Sequence, residues 1–229
     1  TAVLAVLLTA LGLPSALALR ARRDGWVAVV ADAPLHGLVW LPLGVVGWTW
    51  LSWWGLSVVS ATWGAAVVAA VRGLPAAGSV RPRRPAGRAV ARGAAWAAVL
   101  ALAVVVRLRE VNFLPWMGDM GAYVNWSNEL VRTGELTATW PPLFSAYLSV
   151  STAFFGTAHT TAGMAVVGLV LVVAVARLAG RLGAGPWVEL AAAATLALQL
   201  HAVWYSSFPT SESLTAPLTV LWLGLLHRA

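Results

Sequence analysis

Long apolar runs separated by short polar stretches dominate this chain. The runs cover residues 1–19, 26–71, 94–107, 143–155, 161–179, 187–205 and 214–226. A helix needs about 20 apolar residues to cross the hydrocarbon core of a bilayer, so the run at 26–71 is long enough to cross twice. We predict a hairpin there that turns near Trp48–Trp54, because indole rings favour the interface between membrane and water.

The positions of the arginines indicate on which side of the membrane each apolar run begins. They cluster at 20–23, 72–92 and 177–181, and such clusters are typical of cytoplasmic loops. Placing all three clusters inside predicts seven spans with an external amino terminus. The run at 143–155 extends only about 20 Å as a helix. If it crossed the membrane, Arg177 and Arg181 would lie on the external side rather than in the cytoplasm. We therefore predict an outer juxtamembrane helix at 143–155.

Composition supports an all-α fold class. We predict a polytopic transmembrane helix bundle of about seven spans, with an outer loop that carries juxtamembrane helices. Of 229 residues, 60% are hydrophobic and 10% charged, too little polar surface for a soluble globule of this size. The net charge of +7 resides in short loops between apolar runs, which indicates membrane topology and no nucleic-acid partner. Without cysteine, the chain has neither disulfides nor a thiolate nucleophile. The lack of Lys and Ile is typical of a GC-rich bacterial genome, and we expect a multi-pass protein of the cell membrane.

Three parts follow from this pattern. Residues 1–71 form amino-terminal transmembrane helices, 72–93 form an Arg-rich cytoplasmic loop, and 94–229 form a second module with an outer loop at 108–160. The chain begins with Thr and ends soon after an apolar run, so we expect it to be a portion of a longer protein.

The outer loop is the first place where chemistry could reside. Asp119 follows Gly118 and precedes a stretch whose apolar residues recur at helical spacing, namely Tyr123, Trp126, Leu130 and Val131. This predicts a helix that begins at Asp119. The carboxylate could simply cap that helix, or it could act on a substrate, and the spacing does not decide between the two.

The order of short motifs resembles the start of the GT-C superfamily of membrane glycosyltransferases, especially enzymes similar to protein O-mannosyltransferases and lipid A aminoarabinose transferases. The resemblance covers about residues 98–226. Its elements are Arg107 at the end of an outward helix, Asp119, Tyr123, Gly134, Pro141-Pro142-Leu143, Phe155-Gly156, the helix that ends in Arg177 and Arg181, and Ser211-Glu212-Ser213-Leu214.

The resemblance implies roles for particular residues. Asp119 and Glu212 match the two outer acids of the catalytic cavity, and Arg107 matches the basic residue that ends the first core helix. A guanidinium binds phosphate oxygens in a bidentate fork, so Arg107 and Arg109 are candidates for holding the donor phosphate. Tyr123 and Trp140 are candidates for lining the substrate cavity.

The chain also departs from the family. Met120 stands where a second acid is common, and Trp140 stands where a basic residue often precedes the proline pair. Three extra spans lie upstream of the core. The resemblance implies no certain cofactor and leaves a divalent cation open.

Together these features predict a polyprenyl-phosphate-dependent glycosyltransferase that transfers a sugar on the outer face of the membrane. The acceptor could be a glycan, a lipid or a protein, and we expect this portion alone to be inactive. One alternative is an ion-coupled transporter or flippase that uses Asp32, His36 and Glu212. Pro34 between Asp32 and His36 favours a structural role for that pair instead. A second alternative is a non-catalytic assembly subunit of the membrane, which the missing second acid would favour.

Overall fold

The computed structural model describes residues 2–18, 26–72, 87–110, 118–136, 142–160 and 162–227, and within these ranges the chain is helical, with no strand. The all-α prediction is confirmed. The helices are α1 (Ala2–Ala18), α2 (Trp26–Arg72), α3 (Gly87–Glu110), α4 (Asp119–Thr133), α5 (Pro142–Phe155), α6 (Ala162–Arg181), α7 (Pro186–Leu198), α8 (Leu200–Tyr205) and α9 (Ser211–Leu226), with a 3₁₀ turn at Thr157–His159.

Among the residues that the structure describes, three segments are long and apolar enough to cross a membrane, namely Val29–Val46, Val90–Leu108 and Ala162–Arg181. The apolar parts of the other helices are shorter. The seven-span count therefore stays a prediction. The Arg cluster at 20–23 and residues 73–86 of the predicted cytoplasmic loop lie outside the described residues.

Helix α1 packs tightly and antiparallel against the first part of α2. Gly12 lies against the backbone of Ala33 and Gly37, and Gly37 lies against the backbone of Leu8. Neither glycine has room for a Cβ atom, so the two helix backbones approach closely. Small residues at such contacts are typical of helix pairs in membranes.

The second part of α2 also contacts α1, since the Trp63 indole N–H donates to the Leu11 carbonyl at 2.7 Å. In a straight helix, Ala33 and Trp63 would be about 45 Å apart. The Ala33 backbone contacts Gly12, and the Trp63 side chain contacts the neighbouring Leu11 carbonyl. The Cα atoms of Ala33 and Trp63 therefore lie within about 20 Å of each other, since one side chain and one peptide unit separate them. The path of α2 must therefore reverse between these two residues. The two helical parts on either side of the bend must then have similar lengths, which places the bend at about residues 41–55.

This interval contains Trp48–Trp54, but these residues are helical rather than a loop, so the predicted two-span hairpin stays a prediction. Aromatic residues at an interface do not by themselves stop a helix, and no proline occurs between Pro42 and Pro75 to end it.

Two further boundaries differ from the prediction. Helix α3 begins at Gly87, inside the predicted Arg-rich loop, because Ala and Arg at 88–92 are good helix formers. The single helix predicted for 187–205 is divided at Gln199, which is extended and ends α7. The Gln199 side chain then caps α8 by accepting the Ala202 N–H at 2.6 Å.

Helix α6 lies in the middle of the bundle and contacts α2, α3, α7 and α9. Its two ends define the two ends of the bundle. At the Arg181 end, the last turn of α6 approaches Gly224 of α9 and Glu189 of α7. At the Arg107 end, the first half of α6 approaches Arg107 of α3 and the segment after α8.

Asp32 ties the start of α2 to the Arg181 end. Its buried carboxylate pairs with Arg181 and lies 3.6 Å from Arg177 Nε, while Arg177 Nη1 lies 4.0 Å from Glu189. The start of α2 and the end of α6 therefore share one end of the bundle, as the predicted topology requires. These ion pairs also support the structural interpretation of Asp32.

Helices α4 and α5 form a layer at the Arg107 end. The Tyr147 hydroxyl donates to the Gly163 carbonyl at 2.7 Å, and Ser151 Oγ donates to the Thr160 carbonyl at 2.6 Å, which ties α5 to the start of α6. Gly44 and Thr49, close to the bend in α2, line a cavity together with both helices. At 14 residues α5 spans about 21 Å. That α5 does not cross the membrane stays a prediction.

Candidate functional site

Helix α4 begins at Asp119, as predicted, but Asp119 is not its cap. The N-cap position is Gly118, with φ of 58°, and no side chain caps this end. Asp119 is exposed, and its carboxylate accepts no hydrogen bond from any residue that the structure describes. The helix dipole still favours an anion in this first turn. The structure thus leaves the Asp119 carboxylate facing solvent, with its acceptor capacity unused within the described chain.

A buried aromatic contact holds α4 in place. Tyr123 is 5% exposed and packs edge to face on Phe144 of α5, with ring centroids 4.9 Å apart. Trp126 packs against Tyr123 in the same way at 5.9 Å. Tyr123, a predicted cavity residue, therefore anchors the helix one turn after Asp119. At the other end, Gly134 is left-handed with φ of 76°, and its N–H donates to the Leu130 carbonyl, as the predicted closing glycine requires.

Arg107 is fully buried, and protein atoms occupy most of its donors. Nε donates to Ser206 Oγ at 3.1 Å, and Nη1 donates to the carbonyls of Ala103 and Ala197 at 3.3 and 3.1 Å. Nη2 donates to the Leu196 carbonyl at 3.4 Å. The Leu196 and Ala197 carbonyls lie in the last turn of α7, where helix carbonyls lack amide partners and carry partial negative charge. Arg107 therefore binds the carboxyl end of α7.

Two small residues make room for this guanidinium. A Cβ atom at Gly168 of α6 would collide with Arg107 Nε and with Ser206 Oγ. Ser206 follows α8 and is buried. Sequence reasoning missed Gly168 and Ser206, because each gains its role only from its contact with Arg107, 61 and 99 positions away. It also missed Gln199, whose local cap of α8 lies inside an apolar run that was predicted as one helix.

Glu212 lies in the first turn of α9, and its side chain is exposed. The Ser211 hydroxyl donates to its carboxylate at 3.4 Å. Ser213 Oγ donates to the Tyr205 carbonyl at 2.6 Å, which holds the loop between α8 and α9. Asp119 and Glu212 thus both begin helices at the Arg107 end, each with an exposed carboxylate. That they border one cavity stays a prediction.

The structure does not describe the side chains of the other two predicted site residues. Trp140 lies outside the described residues, and so does the side chain of Arg109, although its backbone belongs to α3. Among the described residues, no three His, Asp or Glu side chains gather to hold a metal ion.

The transporter alternative requires Asp32 and Glu212 to share one cavity, and the structure separates these two acids. Asp32 pairs with Arg181, which contacts Gly224 near the end of α9, whereas Glu212 begins α9. The 12 residues between Glu212 and Gly224 extend about 18 Å. An ion-coupling site at the membrane midplane would need Asp32 and Glu212 in one cavity, and this geometry does not favour it.

Comparisons with protein families, with curated proteins and with solved structures found no match to this chain. The resemblance to GT-C enzymes therefore depends on the order and spacing of the motifs.

Proposed function

We propose that this chain is the amino-terminal part of a membrane glycosyltransferase that transfers a sugar from a polyprenyl-phosphate donor to an acceptor on the outer, extracytoplasmic face. The observation that carries the proposal is the Asp119 carboxylate. It is exposed at the start of an ordered helix, and no described residue donates a hydrogen bond to it. A carboxylate that only capped its helix would bond the helix amides instead.

Asp119 supplies the chemistry that an acceptor requires. A carboxylate within hydrogen-bond reach of an acceptor hydroxyl can orient it and take its proton as the hydroxyl oxygen attacks the anomeric carbon. The bond from that carbon to the phosphate oxygen then breaks, and the polyprenyl phosphate leaves with the electron pair. Tyr123 and Phe144 support this role, because their buried contact fixes the start of α4 relative to the bundle.

Cationic groups stabilise the departing phosphate in such a reaction. Arg109 fits this role better than Arg107, since four hydrogen bonds already hold the Arg107 guanidinium inside the bundle. Arg107 contributes by fixing the break between α7 and α8, from which the loop to Glu212 continues.

The alternative of a non-catalytic assembly subunit shares the same fold, and Met120 in place of a second acid favours it. The two proposals differ in what Asp119 does. An assembly subunit needs α4 to be folded, whereas a transferase also needs the Asp119 carboxylate.

The full-length protein in proteoliposomes, supplied with labelled polyprenyl-phosphate hexoses, pentoses and amino sugars, tests the proposal. We expect Asp119→Asn to reduce transfer at least about 100-fold, the usual contribution of a general base, while expression and melting temperature stay unchanged. Glu135→Gln is the matched control, because Glu135 is an exposed acid just beyond α4. Near-normal transfer by Asp119→Asn would refute the role of Asp119, and no transfer from any donor would favour the assembly subunit.

A further inference from the structure

An open groove of about 460 Å³ lies between the bend of α2, the end of α4 and the second half of α5, and we call it the α5 groove. Helices α2 and α4 both pack against α5, with little direct contact between their described residues. Helix α5 therefore forms the floor of the groove, and α2 and α4 form its walls. Gly44 keeps the α2 wall open, because no atom lies within 4 Å of the position that its Cβ atom would take.

The lining of the α5 groove is mostly apolar. Val45 of α2, Leu130 and Val131 of α4, and Val150 of α5 contribute branched aliphatic side chains. Among the described residues that line the groove, none is charged. The groove therefore has no ionic group with which to hold a charged ligand.

The two hydroxyl groups in the lining use their protons within their own helices. Thr49 Oγ1 donates to the Val45 carbonyl at 3.0 Å, and Ser149 Oγ donates to the Ala146 carbonyl at 2.8 Å. A saccharide or a phosphate would lose its hydration in the groove and find no free side-chain donor there. A hydrocarbon chain has no polar group to desolvate, so it suits this lining.

The rim of the groove is also apolar. Val131 is 47% exposed, and so is Phe154, which follows the floor residue Ala153. We expect α5 and the bend of α2 at the boundary of the bilayer, where such a rim contacts lipid. A helix from a second copy does not fit, because one helical turn with its side chains is about 10 Å wide and 5.4 Å long, which already occupies roughly 400 Å³.

We propose that the α5 groove holds one acyl chain of a membrane phospholipid, which fills the gap between α2 and α4. A flexible chain can follow an open groove of this size, and the bilayer supplies it directly. This inference depends on the membrane location of the protein and not on the proposed glycosyltransferase function.

Photo-cross-linking of the full-length protein in detergent tests the inference. The probe is a phosphatidylethanolamine with a diazirine near the end of one acyl chain, and mass spectrometry locates the labelled peptides. We expect saturable labelling of the peptides that contain the bend of α2 or the second half of α5.

Two variants fill the groove. Gly44→Phe places a ring in the open space beside α2, and Ala153→Phe places one on the floor. We expect each to weaken labelling at least about tenfold, because a phenyl ring displaces two or more methylene groups of the chain. Gly64→Phe is the matched control, since Gly64 also lies on α2 with no atom within 4 Å of its Cβ position but does not line the groove. Equal melting temperatures of Gly44→Phe and Gly64→Phe would show that the groove variant is folded.

Three results would overturn the inference. The first is labelling at these peptides that does not saturate or that both groove variants leave unchanged. The second is displacement of the probe by equimolar polyprenyl phosphate but not by unlabelled phosphatidylethanolamine, which would assign the groove to an isoprenoid chain. The third is a dimer, detected by light scattering, that Gly44→Phe dissociates and Gly64→Phe does not. Sugar transfer is not measured in any of these assays, so the groove and the glycosyltransferase can fail separately.

Discussion

Replacing Arg107 with lysine tests whether this residue is structural or holds phosphate. Lysine keeps the buried positive charge, so the desolvation cost remains, but its ammonium is a compact donor that cannot reproduce a planar fork. Of the four hydrogen bonds that Arg107 makes, about two would be lost, most directly those to the Leu196 and Ala197 carbonyls. No other hydrogen bond to these two carbonyls is seen in the described chain, so both would remain unsatisfied at the end of α7.

The expected loss of stability can be worked out from the free energy per hydrogen bond in soluble proteins and in membrane proteins. A hydrogen bond to a charged group contributes about 1.5–3 kcal/mol in soluble proteins, whereas interhelical hydrogen bonds in a membrane protein average about 0.6 kcal/mol. Two lost bonds therefore cost about 1–6 kcal/mol. On the soluble-protein scale of about 2–4 °C per kcal/mol, the melting temperature should fall by at least about 2 °C.

Thermal unfolding of the full-length protein in detergent, without any donor lipid, measures this effect. Arg92→Lys is the control, because Arg92 is exposed on the same helix. If Arg107 instead served only to bind phosphate, Arg107→Lys would melt like the parent protein and would raise only the KM for the donor. That outcome would refute the structural role derived from the hydrogen bonds.

Two other predictions concern the Arg181 end and the topology. Asp32→Asn removes the buried carboxylate that pairs with Arg181 and lies near Arg177, so we expect a loss of about 3–5 kcal/mol in thermal unfolding. A variant as stable as Glu135→Gln would contradict the buried ion pairs. Cysteines introduced at Ser79, Glu135 and Ser211 should react with an impermeant maleimide from outside only at the last two, and external labelling at Ser79 would overturn the seven-span prediction.

The sequence was sufficient for features that depend on local chemistry. Apolar runs and scarce charges predict an all-helical chain, because a helix satisfies its own backbone within each run. The start of α4 at Asp119 and its end at Gly134 also follow locally, since apolar spacing and a left-handed glycine need no distant partner. The resemblance added roles for Asp119 and Glu212, which the experiments above can test.

Tertiary structure decided the features that depend on distant partners. The sequence predicts that Arg107 binds phosphate. Only the packing of α7 and Gly168 against Arg107 shows that its guanidinium is buried among carbonyls. Likewise, Asp32 gains its role from arginines about 145 positions away. Spacing along a helix specifies which residues share a face. Packing among the helices then decides which element contacts that face, and a polar group in an apolar run acquires its role from the element that it contacts.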